Sequence, residues 1–232
     1  MCGINGYILN NNTDKNNLLI QKMNQLINHR GPDDSGSYID FIENKSIGMG
    51  MTRLSIIDLV SGNQPMFSSD NSIVIIFNGE IYNFKELKKD LVSRFDIKFL
   101  TDSDTEVILR LYETYGVKSF KLLDGMFSIT IYDKNISKIY IARDYFGEKP
   151  LYYTKNNNGL IWGSELKSII SVLETKPSIS KKALDLYFQL TYIPAPFTIY
   201  DNIYKLKANN YLEINIENSS YEEKLIHDEK LP

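Results

Sequence analysis

The chain is poor in cysteine and histidine and has no surplus of positive charge, and each of these features excludes some classes of function. Its 232 residues include one cysteine and two histidines. One cysteine cannot form an internal disulfide, and neither histidine has partners at metal-ligand spacing, so the sequence predicts no metal site. The formal net charge is -3 at pH 7. There is therefore no basic surplus for binding nucleic acid or an anionic membrane.

Long apolar runs are also missing. No stretch approaches the roughly 20 apolar residues needed to cross a bilayer, and the N-terminus lacks the charged-then-apolar layout of a signal peptide. We therefore expect no membrane partner and a cytoplasmic location. The composition is that of a globular protein, with 43% hydrophobic and 24% charged residues. Such a chain can bury a substantial core, and a small-molecule site is the favoured expectation.

Hydrophobic periodicity predicts the secondary structure. Residues 2–9 alternate small or polar with apolar side chains and predict a strand, and residues 15–28 carry the apolar stripe of an amphipathic helix. Residues 72–77 form a continuous apolar run, typical of a strand buried on both faces, which is expected to end at Asn78-Gly79. Further strands are predicted at residues 47–51, 127–132, 136–142, 151–154, 160–163 and 210–216.

Two helices in the middle of the chain are predicted from their first residues. Asn83 and Glu86, three residues apart, match a capping box, and Ser103 with Glu106 repeats the pattern. The second of these helices is expected to end at Gly116, because glycine commonly follows the last turn of a helix. Further helical periodicity covers residues 165–173 and 181–190.

The order of these elements predicts the fold class. Helices come early and late, the middle of the chain is rich in hairpins, and no βαβ rhythm is visible. This pattern favours an α+β fold in which two antiparallel sheets pack face to face and are covered by helices. Residues 1–216 are predicted to form this domain, and the polar, aperiodic residues 217–232 are predicted to be a linker.

Polar residues cluster beside turn residues at the predicted strand ends. The clusters are Cys2-Gly3-Ile4, His29-Arg30-Gly31-Pro32-Asp33, Arg53-Leu54-Ser55-Ile56, Asn78-Gly79-Glu80-Ile81-Tyr82-Asn83 and Ser103-Asp104. In this order they closely resemble the class II, N-terminal-nucleophile glutamine amidotransferases and, within them, the glutamine-hydrolysing asparagine synthetases. The resemblance runs from Cys2 to about Leu212, which is most of the chain.

The resemblance implies a four-layer αββα sandwich, the Ntn hydrolase fold, with Cys2 as a nucleophile made N-terminal by removal of Met1. A free thiol has a pKa near 8.5, is only slightly ionised at neutral pH, and needs a base nearby. The α-amine of the same residue, with an ordinary pKa near 7.7 to 8.0, can accept the thiol proton directly or through water. While Met1 remains attached, that nitrogen is an amide, and we expect no activity.

The resemblance also assigns an oxyanion hole. The side-chain amide of Asn78 and the backbone N–H of Gly79 would stabilise the oxyanion that forms when the thiol attacks glutamine. As an isolated dipeptide, Asn78-Gly79 would instead indicate a hairpin turn. The residues that follow, Glu80 to Asn83, favour the catalytic interpretation.

Glutamine carries two further charges that need partners when they are buried. In the family pattern Arg53 binds the α-carboxylate, while Asp104 and Glu80 accept hydrogen bonds from the α-ammonium. Taken singly, Arg53 could be a surface arginine and Asp104 an ordinary first-turn helix acid. The segment after Arg53 is also expected to contact glutamine, through Leu54, Ser55, Ile56 and Ile57.

The segment Arg30-Gly31-Pro32-Asp33 resembles the lid that closes over glutamine in the family and excludes water. A plain Gly-Pro turn is the alternative. A catalytic pair of Cys2 and His29 is a rival interpretation of the chemistry. It is the weaker one, because it gives Cys2 no reason to lie at the start of the chain.

Later segments indicate the branch of the family. Residues 142–153 and 192–200 are similar to the asparagine synthetases, although residues 208–211 replace a Gly-His pair that is usual there. The sequence has no Ser-Gly-Gly-x-Asp-Ser pyrophosphate-binding loop. We therefore expect a glutaminase domain without a cofactor of its own, which passes ammonia to a synthetase domain or subunit. ATP and Mg are expected only for that synthetase domain.

Two other functions stay open at this point. The domain can instead feed ammonia to another acceptor, such as a sugar or peptide of surface-polymer biosynthesis, or it can be a non-catalytic module that binds glutamine. A homo-oligomer is compatible with the resemblance.

Overall fold

The structure of the chain is a computed structural model, and it describes residues 2–11, 16–55, 58 and 62–228. Its strands are β1 (Gly3–Leu9), β2 (Asp34–Ile42), β3 (Lys45–Arg53), β4 (Met66–Phe67), β5 (Ile73–Ile81), β6 (Gly125–Asp133), β7 (Lys138–Arg143), β8 (Tyr152–Asn156), β9 (Gly159–Gly163), β10 (Ile203–Lys205), β11 (Asn210–Asn215) and β12 (Tyr221–Leu225). Its α-helices are α1 (Asn16–Leu26), α2 (Phe84–Phe95), α3 (Asp104–Tyr115), α4 (Leu166–Ile170) and α5 (Lys181–Leu190).

The strands form two six-stranded sheets. The first has the order β10-β8-β9-β1-β3-β2 and the second the order β12-β11-β7-β6-β5-β4. Every pairing between these strands is antiparallel. The arrangement follows from the hairpins of the sequence, because a short turn can join only antiparallel neighbours.

Three hydrophobic cores separate four layers. The core between the sheets contains Ile4 and Trp162 from the first sheet and Ile76 from the second. A second core lies between the second sheet and the helices α2 and α3, and a third lies between the first sheet and the helices α1 and α4. The predicted αββα sandwich is therefore confirmed.

Strand β5 shows how the sequence produces this layering. Its side chains alternate between faces, so Val74 and Ile76 enter the core between the sheets while Ile73 and Ile75 pack under the helices. The prediction of a strand buried on both faces is confirmed. Burial of each such isoleucine contributes roughly 2 kcal/mol to folding.

Most predicted elements are found near their predicted bounds, but β2, β4, β10 and β12 fall outside the predictions. Strand β2, with the sequence DSGSYIDFI, is the edge of the first sheet and has no fully buried residue. Edge strands with polar faces lack the regular alternation on which strand prediction depends.

The capping box predicted at Asn83 is wrong. Asn83 makes no side-chain bond to the start of α2. Its amide donates to the carbonyl of Leu122 at 3.0 Å and accepts from the N–H of Asp124 at 3.1 Å. The φ and ψ angles of Asn83 are -93° and 19°, whereas a capping side chain usually needs an extended backbone. Asn83 instead ties α2 to the segment before β6.

The start and end of α3 are closer to the prediction. The Ser103 hydroxyl caps the helix by accepting from the N–H of Thr105 at 3.0 Å. The carboxylate of Glu106 does not complete the capping box but accepts a hydrogen bond from the N–H of Thr101 at 2.6 Å. The helix ends at Gly116, whose φ of 58° combined with ψ of -146° is readily adopted only by glycine.

The predicted boundary at residue 216 falls between two paired strands. Strand β12 pairs with β11 along its whole length, from Asn210 opposite Leu225 to Ile214 opposite Tyr221. Lys224 bonds Glu213 across this pair at 2.8 Å. The residues after 216 therefore include an edge strand of the second sheet. Its sequence, YEEKL, is polar enough to look like a linker.

No helix among the described residues is long and apolar enough to cross a membrane.

Candidate active site

Six of the predicted site residues line a single cavity. The cavity is small, with a volume of about 30 Å³, and it lies where β1 begins and where β3 and β5 end. Its walls are formed by Cys2, Arg53, Leu54, Gly62, Gln64, Phe77, Gly79, Glu80, Ser103, Asp104 and Thr105. The fold thus brings together segments from both sheets and from the start of α3.

The thiol of Cys2 is held against the end of β3. The register of β1 and β3 begins with Gly3 opposite Thr52, so its continuation would place Cys2 opposite Arg53. The sulfur accepts a hydrogen bond from the N–H of Leu54 at 3.4 Å and donates to the carbonyl of Leu54 at 3.6 Å. On the backbone side, Nε of Arg30 donates to the carbonyl of Cys2 at 2.9 Å. Both the backbone and the thiol of Cys2 are therefore positioned at the cavity wall.

The guanidinium of Arg53 is buried beside the thiol, with 5% of the residue exposed. Its Nη1 donates to Oδ1 of Asn63 at 3.1 Å, and its Nη2 donates to the carbonyl of Asp58 at 2.5 Å. Asn63 and Asp58 therefore hold the planar group of Arg53 at the cavity wall. A guanidinium in this position can bind a carboxylate through two parallel hydrogen bonds.

Gly79 lies inside β5, and the prediction that the strand ends at Asn78-Gly79 is wrong. The pairing of β5 with β6 continues to Ile81, and Gly79 is opposite Phe127. The alternative of a hairpin turn is therefore excluded. A side chain at position 79 would overlap the carbonyl oxygen of Met126 and the backbone of Phe127. Only glycine fits where the two strands approach this closely.

The register of β5 directs the N–H of Gly79 toward the cavity. Successive residues of a strand direct their backbone groups to opposite neighbours. Tyr82 donates to the β6 side, whereas Ile81 donates to Oδ2 of Asp104 at 3.2 Å and Phe77 donates to Oε1 of Gln64 at 2.6 Å. Gly79 lies between Phe77 and Ile81 with the same orientation, so its N–H points away from β6 and into the cavity.

Asn78 is buried but does not lie on the cavity wall. Alternation places its side chain on the same face of β5 as Val74 and Ile76, in the layer between the sheets against which Cys2 also packs. The amide of Asn78 donates to the hydroxyl of Ser128 at 3.4 Å, which is a long hydrogen bond. This amide is therefore only weakly held by Ser128.

Two carboxylates face the cavity opposite the arginine. Burial raises the pKa of Asp104 to about 6, the hydrogen bond from the N–H of Ile81 opposes this shift, and the negative charge of Glu80 adds to it. Burial also raises the pKa of Glu80, and the positive charge of Lys149 opposes that shift. Asp104 is buried and Glu80 is half-buried. The two carboxylates repel each other, so a bound cation such as an ammonium would stabilise both.

The segment predicted as a lid packs along the end of β3. Pro32 forms a bridge with Arg53, and the N–H of Asp33 donates to the carbonyl of Arg53 at 3.1 Å. The carboxylate of Asp33 accepts from the N–H of Ser55 at 2.8 Å. Gly31 lies against the backbone of Thr52 and Arg53. The four residues of this segment do not line the cavity themselves, but they contact two residues that do, Cys2 and Arg53.

His29 belongs to a different cluster from Cys2. Its Nε2 lies 2.9 Å from Oε1 of Glu165, and Glu165 also pairs with Arg30 at 3.2 Å and with Lys167 at 3.2 Å. Burial raises the pKa of Glu165, but hydrogen bonds from Lys167, Arg30 and His29 outweigh burial and lower it. Among the described residues, His29 has no hydrogen bond to Cys2, which argues against the rival pair.

The remaining predicted residues have mixed placements. Ser55 follows the cavity wall and contacts the lid segment, as described above. Ile56 and Ile57 lie outside the described residues. Across the described part of the chain, no group of three or more His, Cys, Asp or Glu side chains could hold a metal ion.

Several residues at the cavity were not predicted as site residues. Gln64, Ser103 and Thr105 line the wall, and Lys149 acts on the charge of Glu80. Ser103 was predicted as a helix cap and belongs with Asp104 to one of the polar clusters of the sequence. Gln64 precedes a proline and follows a polar loop, and nothing local distinguishes it from a turn residue. Its position depends on strand register, which a single sequence does not reveal.

Fold and site together define an N-terminal-nucleophile amidotransferase domain, and comparison with known proteins gives the family. A family model described as a glutamine amidotransferase domain matches residues 1–224. A putative glutamine-hydrolysing asparagine synthetase of Methanocaldococcus jannaschii is 42% identical over 94% of this chain. Asparagine synthetase 1 of Bacillus subtilis is 42% identical over 84% of it. The chain belongs to the glutamine amidotransferase family.

The chain spans 44% and 30% of the lengths of these two relatives. A solved structure confirms the fold independently. The glutamine phosphoribosylpyrophosphate amidotransferase of B. subtilis, in complex with ADP and GMP, superimposes with a TM-score of 0.69 at 17% identity. The match covers 98% of this chain and 50% of that protein.

Proposed function

We propose that the chain hydrolyses L-glutamine to glutamate and ammonia, with Cys2 as the nucleophile. The observation that carries this proposal is the single cavity that joins the thiol of Cys2, the guanidinium of Arg53 and the carboxylates of Asp104 and Glu80. One cation and two anions on the cavity wall match the carboxylate and the ammonium of a free amino acid. An amino acid bound by these charges can present its side-chain amide to the sulfur.

The charges of the cavity orient the substrate. Arg53 binds the α-carboxylate of glutamine, and the carboxylates of Asp104 and Glu80 accept hydrogen bonds from its α-ammonium. The backbone of Leu54 and Ser55 borders the α-carbon. Because the two charged ends fix the amino-acid group, the side chain extends toward Cys2. This positioning makes the attack on the amide carbon effectively intramolecular.

The chemistry begins after Met1 is removed. The α-amine of Cys2 accepts the thiol proton, and the thiolate attacks the amide carbon to form a tetrahedral oxyanion. The N–H of Gly79 stabilises this oxyanion together with the side-chain amide of Asn78, which turns from Ser128 toward it. The intermediate collapses as the amine returns its proton to the leaving nitrogen, and ammonia leaves. Water then hydrolyses the glutamyl thioester, releases glutamate and restores the thiol.

The segment Arg30-Gly31-Pro32-Asp33 closes the cavity over bound glutamine. Its contacts with Arg53 and Ser55 support a position beside the substrate carboxylate. Ordering of this segment would exclude water until ammonia has left. Arg30 has a second role in this proposal, because its hydrogen bond to the carbonyl of Cys2 holds the nucleophile in place.

The ammonia is used elsewhere. Since the relatives are asparagine synthetases of greater length, we propose that a synthetase domain or subunit accepts it for ATP-dependent synthesis of asparagine from aspartate. ATP and Mg belong to that partner. We also propose that the reaction takes place in the cytoplasm.

Ammonia release from L-glutamine tests the proposal. The mature chain without Met1 is expected to release one ammonia for each glutamate, and Cys2→Ala is expected to release none. A chain with an uncleaved N-terminal extension is the matched control, because it keeps the thiol but converts the α-amine to an amide. Full activity of the extended chain would contradict the role of the amine. Inactivity of the mature chain, with glutamine bound, would indicate a binding module.

A further inference from the structure

Gln64 occupies an unusual position in the cavity wall. It is buried, with 7% of the residue exposed, and its side-chain amide makes two hydrogen bonds in opposite directions. Oε1 accepts from the backbone N–H of Phe77 at 2.6 Å, and Nε2 donates to the hydroxyl of Thr105 at 3.1 Å. One side chain therefore connects β5 with the start of α3.

The register of β4 and β5 explains the first hydrogen bond. Met66 pairs with Ile75 and Phe67 with Val74, so continuation of this ladder would place Gln64 opposite Phe77. Strand β4 begins only at Met66. The side chain of Gln64 thus supplies the acceptor that the backbone of a longer strand would have supplied. A buried N–H without an acceptor would be destabilising.

Both hydrogen bonds end next to residues of the proposed mechanism. Phe77 directly precedes Asn78 and lies two residues before Gly79, and Thr105 directly follows Asp104. Asp104 in turn accepts from the N–H of Ile81. The edge of β5 is therefore held on both sides of Gly79, by Gln64 at residue 77 and by Asp104 at residue 81. Only the central N–H is directed at the cavity.

We propose that Gln64 is a positioning residue that fixes the N–H of Gly79 relative to Cys2 and to Asp104. This inference rests on the proposed hydrolysis of glutamine. Gln64 acts through β5 and not on the substrate charges, so its loss should weaken stabilisation of the oxyanion more than binding of glutamine. Loss of Gln64 is therefore expected to lower kcat and to leave KM nearly unchanged.

The test compares two rates of thiol modification in the mature chain. The glutamine analogue 6-diazo-5-oxo-norleucine reports the organised cavity, and iodoacetamide reports the thiol alone; intact mass gives both rate constants. Gln64→Met, which keeps side-chain length but removes both hydrogen bonds, is expected to lower kcat and the analogue rate by roughly 10- to 100-fold. KM should change by less than about threefold and the iodoacetamide rate by less than about twofold.

Two threonine variants form a matched pair. Thr105→Val removes only the second hydrogen bond of Gln64 and is expected to lower kcat by roughly 3- to 10-fold. Thr130→Val removes a buried hydrogen bond from Nε1 of Trp162 at 3.0 Å, in the core between the sheets. It should lower Tm but leave kcat within about twofold. The combination of Gln64→Met with Thr105→Val should add little to Gln64→Met alone.

A folded Gln64→Met variant with wild-type kcat, or with a raised KM and unchanged kcat, would overturn the inference. If Gln64→Met does not fold, equal kcat values for Thr105→Val and Thr130→Val would overturn it instead. A wild-type chain that takes no analogue on Cys2 would contradict the proposed function itself, and this inference with it.

Discussion

Two buried aspartates beside β5 and β6 differ in how fully their carboxylates are hydrogen-bonded. Asp144 is 0% exposed and accepts from the backbone N–H groups of Phe127, Phe146, Glu148 and Lys149 at 2.9 to 3.2 Å. Asp104 is 5% exposed, and it accepts a hydrogen bond from a different element through the backbone N–H of Ile81, at 3.2 Å. Asp144 closes a loop, whereas Asp104 faces a cavity.

The difference shows how a buried charge can be assigned to structure or to function. The carboxylate of Asp144 has its negative charge distributed over four N–H groups, so its burial is compensated within the fold. Burial raises the pKa of Asp104 to about 6 because its compensation is incomplete. An incompletely compensated carboxylate at a cavity is a candidate for binding a cation. The predictions below test this contrast.

The largest expected effect is on glutamine binding. Asp104→Asn keeps an oxygen for the N–H of Ile81 but removes the charge that pairs with the substrate ammonium. Loss of one partner of a buried charge pair costs about 2 to 5 kcal/mol, so KM for glutamine should rise by roughly 30-fold or more. Steady-state ammonia release measures this change. An unchanged KM would show that Asp104 does not bind the substrate.

The next effect is on stability. Asp144→Asn replaces one oxygen by an NH2 group that faces backbone donors, so at least one buried N–H loses its acceptor. We expect the free energy of unfolding to fall by about 2 to 4 kcal/mol, as measured by urea denaturation at pH 7.5. If Asp144→Asn were as stable as the wild type, the loop from residue 144 to 149 would not depend on this carboxylate.

The same substitution at Asp104 should change stability in the opposite direction. The pKa of Asp104 is raised from 3.8 to about 6, so between these pH values the folded state retains a proton that the unfolded state has released. Stability therefore falls as pH rises through this window, and the full cost is present above pH 6. Asp104→Asn should thus raise the free energy of unfolding at pH 7.5 by about 1 to 3 kcal/mol. The variant would then unfold at a higher urea concentration than the wild type. A loss of stability would contradict this account of Asp104.

The smallest effect is a pH dependence of binding. As pH falls below about 6, Asp104 becomes protonated and can no longer pair with an ammonium. Glutamine binding to Cys2→Ala, measured by calorimetry, should weaken by about tenfold for each pH unit well below 6. The double variant Cys2→Ala with Asp104→Asn is the control, and its weak binding should lack this part of the profile. Cys2→Ala also removes the thiol, so changes in its ionisation do not contribute.

The fold was largely predictable from the sequence because most strands bury one or both faces. The apolar run Ile73 to Phe77 and the hairpin around residues 133–135 have clear periodicity. Strand β12 has no clear periodicity, since its side chains are mostly charged and form ion pairs at the edge of the sheet. The polar segment Asp34–Ile42 was missed for the same reason.

The candidate site was predictable only where residues form a motif. The clusters at Cys2, Arg53, Gly79 and Asp104 do converge on one cavity. Gln64 could not be predicted, because its role depends on a strand, β4, that begins two residues after it. The motif also did not reveal that the side chain of Asn78 lies away from the cavity wall. That position follows from the alternation of side chains between the two faces of β5. Its role in the oxyanion hole stays a prediction.

The most direct test of the central claim is intact-mass spectrometry of the mature chain before and after treatment with 6-diazo-5-oxo-norleucine. We predict loss of Met1 and a single adduct that maps to Cys2, that excess L-glutamine prevents, and that Cys2→Ala lacks. A chain demonstrably free of Met1 that takes no glutamine-protectable adduct would contradict Cys2 as the nucleophile of a glutamine site.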